Sequence, residues 1–222
     1  MWLTVAVPLT VLFTVLIGIY LKKEPLMEKK TIKDKMMVLL PRHKLDFVFV
    51  IAMFAMGIFV FGLRYNYFHD YIEASKLAVL ALLFIPIVYI DYKTKKIPNK
   101  LLILGLISRI VLYIIEVFVG EGNMLNIFLS DIKGALVGGL IFLMGSLFVK
   151  NGVGMGDIKM FALIGIFYGY GGTVSTIVYS LFLCFIMALF LLITRKKAIK
   201  DTVPLAPFAF IGLILTLILE IF

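Results

Sequence analysis

The chain has 222 residues, of which 63% are hydrophobic. Soluble domains contain roughly 45–50% apolar residues, so this composition excludes a soluble globular protein and indicates helices packed against one another in a lipid bilayer. The formal net charge is +9. Because Lys and Arg mark the cytoplasmic loops of membrane proteins, we interpret this charge as a sign of topology rather than of nucleic-acid binding.

Long apolar runs recur along the sequence and predict an all-α, polytopic membrane helix bundle with about eight transmembrane helices. Two N-terminal membrane helices and a basic loop occupy residues 1–75, and a six-helix core occupies residues 76–222. The sixth and seventh spans are separated because Gly169, Gly171 and Gly172 interrupt the apolar run. The predicted spans are 2–21, 46–63, 76–91, 101–119, 134–149, 158–171, 173–194 and 203–222.

The basic residues are distributed unequally between the two sides of the predicted bundle. With the N-terminus outside, the loops 22–45, 92–100, 150–159 and 195–201 face the cytoplasm and hold 18 of the 22 Lys and Arg residues. This asymmetry predicts a multi-pass protein of the cell membrane in that orientation. The loop 22–45 is expected to contact anionic membrane lipid, and it lacks the interleaved aromatic residues typical of nucleic-acid binding.

Two aspartates fall at the same membrane level in this topology. Asp91 ends the third span, in "FIPIVYIDYKTKKIPNK", and Asp157 begins the sixth span, in "GVGMGDIKM". The third span runs inward and the sixth runs outward, so both carboxylates lie at the cytoplasmic face. A charged side chain within a bilayer costs about 2.5–3.5 kcal/mol on insertion scales, which makes such residues functional candidates.

Two neighbouring carboxylates have a recognised use in catalysis. Because like charges a few ångströms apart do not both ionise easily, the pair shares a proton. The ionised member can then activate a water molecule, and the protonated member can donate to a carbonyl or a leaving amine. His43 and His69 lie in loops on opposite faces, so a Ser-His-Asp or Cys-His arrangement is not expected.

The residues around the aspartates have both a functional and a purely structural interpretation. Gly154 and Gly156 are expected to form an unwound stretch that admits water and a peptide, with a helix beginning near Ile158 whose dipole favours a carboxylate. The alternative is a simple turn with a solvated acid. Pro98 is expected to end the preceding helix, and Asn99 to cap the next one, which is also what an ordinary loop would show.

Together, these residues resemble the type IV prepilin peptidases and the related archaeal preflagellin peptidases, which are membrane aspartic proteases with a G-x-G-D motif. The resemblance covers roughly residues 76–222. Its three elements are Asp91 with Ile97, Pro98 and Asn99; Gly154, Gly156, Asp157 and Lys159; and, more weakly, Pro204, Pro207 and Phe208.

The resemblance implies catalytic roles for Asp91 and Asp157, and no cofactor or metal. The implied substrates are pilin-like or archaellin precursors, whose short basic leader is cut at the cytoplasmic face. The other matched residues are implied in substrate binding or support of the motif: Gly154, Gly156, Lys159, Ile97, Pro98 and Asn99.

One departure from the family pattern concerns the first cytoplasmic loop. Many bacterial members also N-methylate the new terminus and carry a larger loop whose paired cysteines bind zinc. Residues 22–45 contain no cysteine, so zinc-thiolate ligation is impossible there. We therefore expect peptidase activity without N-methyltransferase activity.

Two other classes of membrane protein share part of this pattern. Presenilin-type and signal-peptide-peptidase-type intramembrane proteases also use G-x-G-D, but they place Tyr-Asp in the partner helix and Pro-Ala-Leu later, which Tyr89-Ile90-Asp91 and "PLAP" do not match. A proton-coupled transporter also uses intramembrane carboxylates. Both aspartates lie near one face, however, and the paired halves with broken midplane helices of many transporters are not evident.

Further polar and small residues interrupt the apolar spans. Arg109 and Glu116 lie seven residues apart on one face of the fourth span, where they are expected either to hydrogen-bond within the bundle or to contact substrate. Asp131 is expected in a loop, and Cys184 is expected to be inert. Two Gly-x-x-x-Gly pairs are expected to permit close helix packing: Gly134 with Gly138, and Gly165 with Gly169.

Overall fold

A computed structural model describes residues 7–8, 10–15, 44–119, 123–148, 154–194 and 203–221. The chain divides into two compact units, Met1–Pro86 and Ile87–Phe222. Most of the predicted first span, the predicted loop 22–45 up to residue 43, and Gly152 lie outside the described residues.

The described elements are helices, which confirms the predicted all-α class. Five of these helices, α2 to α6, are long and apolar enough to cross a membrane, and α7 is a shorter apolar helix, so the protein is a helical membrane bundle. The bounds are 7–8 with 10–15 for α1, Lys44–Phe68 for α2, Tyr71–Thr94 for α3, Asn99–Val119 for α4, Met124–Phe148 for α5, Met155–Ile193 for α6 and Ala206–Leu219 for α7.

Helices α2 to α6 begin before the predicted apolar runs, whereas α7 is shorter than its predicted span, 203–222. The largest difference is in α5, which begins at Met124 rather than at residue 134. The apolar-run criterion missed this first part because it contains polar side chains. The prediction that Asp131 lies in a loop was therefore wrong, since it lies inside α5 and is 2% exposed.

In the first unit, α2 and α3 are joined by a tight turn. Asp70 caps the N-terminus of α3, because its Oδ1 accepts the N–H groups of Ile72 at 2.8 Å and Glu73 at 3.0 Å, which have no partner within the helix. Arg64 of α2 forms an ion pair with Glu73 across the turn. The turn is therefore fixed by a cap and by a charge pair.

In the second unit, α5 and α6 pack backbone against backbone. A Cβ atom added at Gly134 would lie 2.6 Å from the carbonyl oxygens of Gly165 and Gly169, and one added at Gly165 would collide with the Gly134 backbone. Gly138 lies in the same way against the Phe161 carbonyl. Only glycine permits such an approach, so the predicted role of both Gly-x-x-x-Gly pairs is confirmed.

Helix α6 is broken at Gly169, which has φ 69° and ψ −171°. The predicted separation of the sixth and seventh spans is thus confirmed as a break within α6. Gly138 touches both Phe161 and Thr173, which would be about 18 Å apart along a straight helix. The two parts of α6 therefore fold back on each other, and we call them the first arm (155–168) and the second arm (170–193).

Candidate active site

Asp91 lies in the last part of α3 and is 4% exposed. The helix ends three residues later because Lys95 takes a positive φ of 53° and Pro98 follows. The Asp91 Oδ2 atom accepts the backbone N–H of Ala206 at 3.0 Å. Ala206 is the first residue of α7, so the chain supplies Asp91 with one of the N–H groups that a helix start leaves unpaired.

Asp157 lies in the first turn of α6. Its Oδ2 atom accepts the N–H of Gly154, the residue that caps the helix, at 3.1 Å. The position at a helix N-terminus, which the sequence predicted, suits a carboxylate because the helix dipole stabilises negative charge there. The predicted start near Ile158 was late, however. The helix begins at Met155, so that Gly156 is helical, while Gly154 is extended.

The two aspartates belong to segments that meet in the second unit. They are 66 residues apart in the sequence, but Gly156, next to Asp157, lies against Ile97 in the segment that follows Asp91. Asp157 is less buried than Asp91. The two predicted candidates and the start of α7 therefore belong to one place in the fold.

The residues that flank the aspartates also meet. Lys159 Nζ donates to Asn99 Oδ1 at 3.1 Å. A Cβ atom added at Gly156 would lie 2.9 Å from the Cβ atom of Ile97. The segment after Asp91 and the segment around Asp157 are thus in direct contact at two points.

Pro98 and Asn99 differ from their predicted roles in one respect. The Pro98 carbonyl accepts the N–H groups of Leu101 at 3.1 Å and Leu102 at 3.4 Å, and α4 begins at Asn99. Asn99 was predicted to cap α4, but it is the first helical residue, and its side-chain oxygen accepts the hydrogen bond from Lys159. The helix start is therefore set by Pro98, which leaves the Asn99 side chain for a contact with α6.

Within the described ranges, no three His, Cys, Asp or Glu side chains converge on a point that could hold a metal ion. Cys184, on the second arm of α6, is partly exposed.

A second polar cluster lies deeper in the unit, and the sequence indicated only half of it. Arg109 is 1% exposed and donates to Glu116 at 2.7 Å and to Asp131 at 2.6 Å. Tyr113 also donates to Asp131, at 2.7 Å. The expectation that Arg109 and Glu116 hydrogen-bond within the bundle is confirmed. Asp131 and Tyr113 were missed, the first because its helix was predicted to begin later.

Comparison with known protein families gives one match. A family model described as the type IV leader peptidase family matches residues 78–193, which is more than half of the chain. The matched range includes both aspartates and all of α4, α5 and α6. No curated protein and no solved structure matches the chain.

Proposed function

Because this chain belongs to the type IV leader peptidase family, we propose that it is a membrane aspartic endopeptidase whose catalytic pair is Asp91 and Asp157. Its substrates are pilin-like or archaellin precursors, from which it removes a short basic leader. The observation that supports this proposal is the meeting of three distant segments: Asp91 accepts the N–H of Ala206 at the start of α7, and Ile97, shortly after Asp91, lies against Gly156, next to Asp157.

The chemistry follows from two carboxyl groups that share one proton. The ionised carboxylate takes a proton from a water molecule, and the water oxygen bonds to the carbon of the scissile carbonyl. The protonated carboxyl gives its proton to the carbonyl oxygen. As the tetrahedral intermediate collapses, the C–N bond breaks, the leaving amine takes the proton that the first carboxyl removed from water, and a hydroxyl of the intermediate returns a proton to the second carboxylate as the carbonyl re-forms.

In each carboxyl group, one oxygen is bound by a backbone N–H group. One oxygen of Asp91 accepts from Ala206 N–H, and one oxygen of Asp157 accepts from Gly154 N–H. The other oxygen of each group is then the one that we assign to water and substrate. Fixed N–H donors orient a carboxylate without reorganisation during the reaction.

The membrane arrangement in this proposal follows the distribution of basic residues. The protein has about eight spans with the N-terminus outside, so that Asp91 and Asp157 face the cytoplasm. Residues 76–222 form the peptidase domain, and residues 1–75 add two helices and a basic loop. The leader of the precursor is cut on that face, beside the point where its hydrophobic stretch enters the bilayer.

The proposal is tested with Asp91→Asn and Asp157→Asn in membranes that contain a pilin-like precursor. Each variant is expected to lose at least about 10²-fold in cleavage rate, because an amide cannot exchange the catalytic proton. The matched control is Asp70→Asn, which keeps a good helix cap at the start of α3 and is expected to cleave normally. Substantial cleavage by either site variant, at wild-type protein level, would contradict the assignment.

The product of the same assay tests the second part of the proposal, that the enzyme does not methylate. The proposed lack of methyltransferase activity rests on the absence of cysteine from residues 22–45. Mass spectrometry of the processed precursor is expected to show an unmodified terminal amine. A methyl group whose presence depends on this chain would overturn this part alone.

A further inference from the structure

At the break at Gly169, side chains from two other helices bind the backbone groups on either side of it. In a continuous helix the N–H of Tyr170 would donate to the carbonyl of Ile166. Here Tyr170 N–H donates to Ser130 Oγ at 3.4 Å, and Arg109 Nε donates to the Ile166 carbonyl at 3.1 Å. Because unpaired backbone groups are strongly unfavourable within a bilayer, these bonds hold the break in one conformation.

The guanidinium of Arg109 is itself fixed on several sides. Beyond Ile166, it donates to Glu116 through Nη1 and to Asp131 through Nη2, and it lies 3.7 Å from the centre of the Tyr113 ring. A guanidinium presents its donors as a rigid planar fork, so it serves all these partners together. An ammonium group is a single point charge and cannot reproduce this set.

These contacts tie the first arm of α6 to α4 at two levels. At the level of the aspartates, Lys159 donates to Asn99; further along, Ile166 accepts from Arg109. Ile166 is nine residues from Asp157, a rise of roughly 14 Å along the helix. Arg109 therefore does not contact Asp91 or Asp157, but it binds the far end of the arm that carries Asp157.

We propose that Arg109 is a positioning residue, which sets the place of Asp157 relative to Asp91 by fixing the first arm of α6 through the Ile166 carbonyl. This inference rests on the proposed function for its kinetic consequences. Its structural content, the placement of the arm against α4, can be measured without any substrate. A role in folding alone would leave the arm in place in every molecule that folds.

The kinetic test is Arg109→Lys, which keeps the positive charge beside Glu116 and Asp131 but loses the planar set of guanidinium donors. In folded, purified enzyme, kcat for precursor cleavage is expected to fall about 10- to 100-fold with KM within about threefold, since small misplacement of a reacting group has effects of this size. The matched control is Arg64→Lys, the same change at another buried arginine that pairs with a glutamate, in the first unit. It is expected to keep the wild-type kcat.

The structural test uses spin labels at positions 100 and 155, on α4 and at the start of α6, in a Cys184→Ser background. Arg109→Lys is expected to shift or broaden the distance distribution between them, whereas Arg64→Lys is not. An unchanged distribution together with an unchanged kcat would overturn the proposal. If Arg109→Lys fails to fold, Glu116→Gln replaces it; this variant weakens the hold on the guanidinium and is expected to lower kcat about three- to tenfold.

The proposed function and the positioning role can be refuted separately. If the wild-type chain cleaves no precursor, the proposed function is wrong, and the distance measurement alone decides the positioning role. If the wild-type chain cleaves and Arg109→Lys lowers activity only by reducing the amount of folded protein, with the distance unchanged, Arg109 is structural and the positioning role is refuted.

Discussion

Gly156 lies where the two motif segments come closest. An added Cβ atom would be 2.9 Å from the Cβ atom of Ile97 and 3.4 Å from its Cγ1 atom. The close atom is Ile97 Cβ, which is tied to the backbone just before Pro98, so it cannot move away as the end of a flexible side chain would. The glycine thus sets how near the first turn of α6 approaches the segment that follows Asp91.

We therefore expect Gly156→Ala to separate the two segments. Overpacking of this kind costs about 1–3 kcal/mol of stability, and displacement of Asp157 is expected to lower kcat/KM about tenfold or more. Cleavage rates and thermal unfolding in detergent measure the two effects. Gly171→Ala is the matched control, since no atom lies within 4 Å of its added Cβ. Equal behaviour of the two variants would show that the contact with Ile97 is unimportant.

Some residues of the site are easier to recognise in the sequence than others. Asp91 and Asp157 stand out because a carboxylate is rare in an apolar run and because topology puts both on one face. Asn99 was given the wrong role, that of a helix cap, since a sequence cannot show that Pro98 starts α4 and leaves the Asn99 amide for Lys159. Ser130 was not predicted at all, because a serine acquires its role only from the break that it faces.

At the scale of helices, the contact between α5 and α6 depends on glycines that face one another. A Cβ atom at Gly165 would meet backbone atoms of Gly134 and Ala135, which cannot turn aside as a side chain can. The two helices would have to move apart along their whole contact. The first arm of α6, which carries Asp157, is held in place by that contact.

Gly165→Ala is therefore expected to destabilise the protein by about 3 kcal/mol, at the upper end of typical overpacking costs. Thermal unfolding in detergent measures the loss. Gly139→Ala is the matched control on α5, because its added Cβ would make ordinary van der Waals contact with Ala162 at 3.7 Å. A Gly165→Ala protein as stable as Gly139→Ala would contradict the packing argument.

Helix breaks and helix starts were not equally visible in the sequence. The break in α6 was predicted because three glycines occur within four residues, which a stable membrane helix would avoid. The early start of α5 was not, since Asn126, Ser130 and Asp131 made that stretch resemble a loop. Asp131 is tolerated inside the bundle because it forms an ion pair with Arg109 of α4. A local sequence pattern does not indicate a partner on another helix.

At the scale of the whole molecule, the orientation in the membrane is a prediction that labelling can decide. In a Cys184→Ser background, Lys96→Cys lies between α3 and α4, and Asn123→Cys lies just before α5. With the N-terminus outside, a membrane-impermeant maleimide is expected to reach position 96 from the cytoplasmic side and position 123 from the other side. The reverse result would place the aspartates on the outer face and exclude the proposed cleavage of cytoplasmic leaders.

The general architecture followed from composition, since apolar runs of this length have few alternatives to membrane helices. The distribution of Lys and Arg then supplied an orientation that brings two aspartates to one level. The sequence did not show which residues of α4 bind α6 at the two levels. Those contacts involve residues 57 and 60 positions apart, and they exist only once the bundle has formed.

The break at Gly169 also bears on the lipid around the protein. The first arm of α6 has fourteen residues and a length of about 21 Å, whereas the hydrocarbon layer is about 30 Å thick. A short segment is accommodated by local thinning of the bilayer, at a cost that grows with each ångström of hydrophobic mismatch. We therefore expect the stability of this protein to depend on the acyl-chain length of the surrounding lipid.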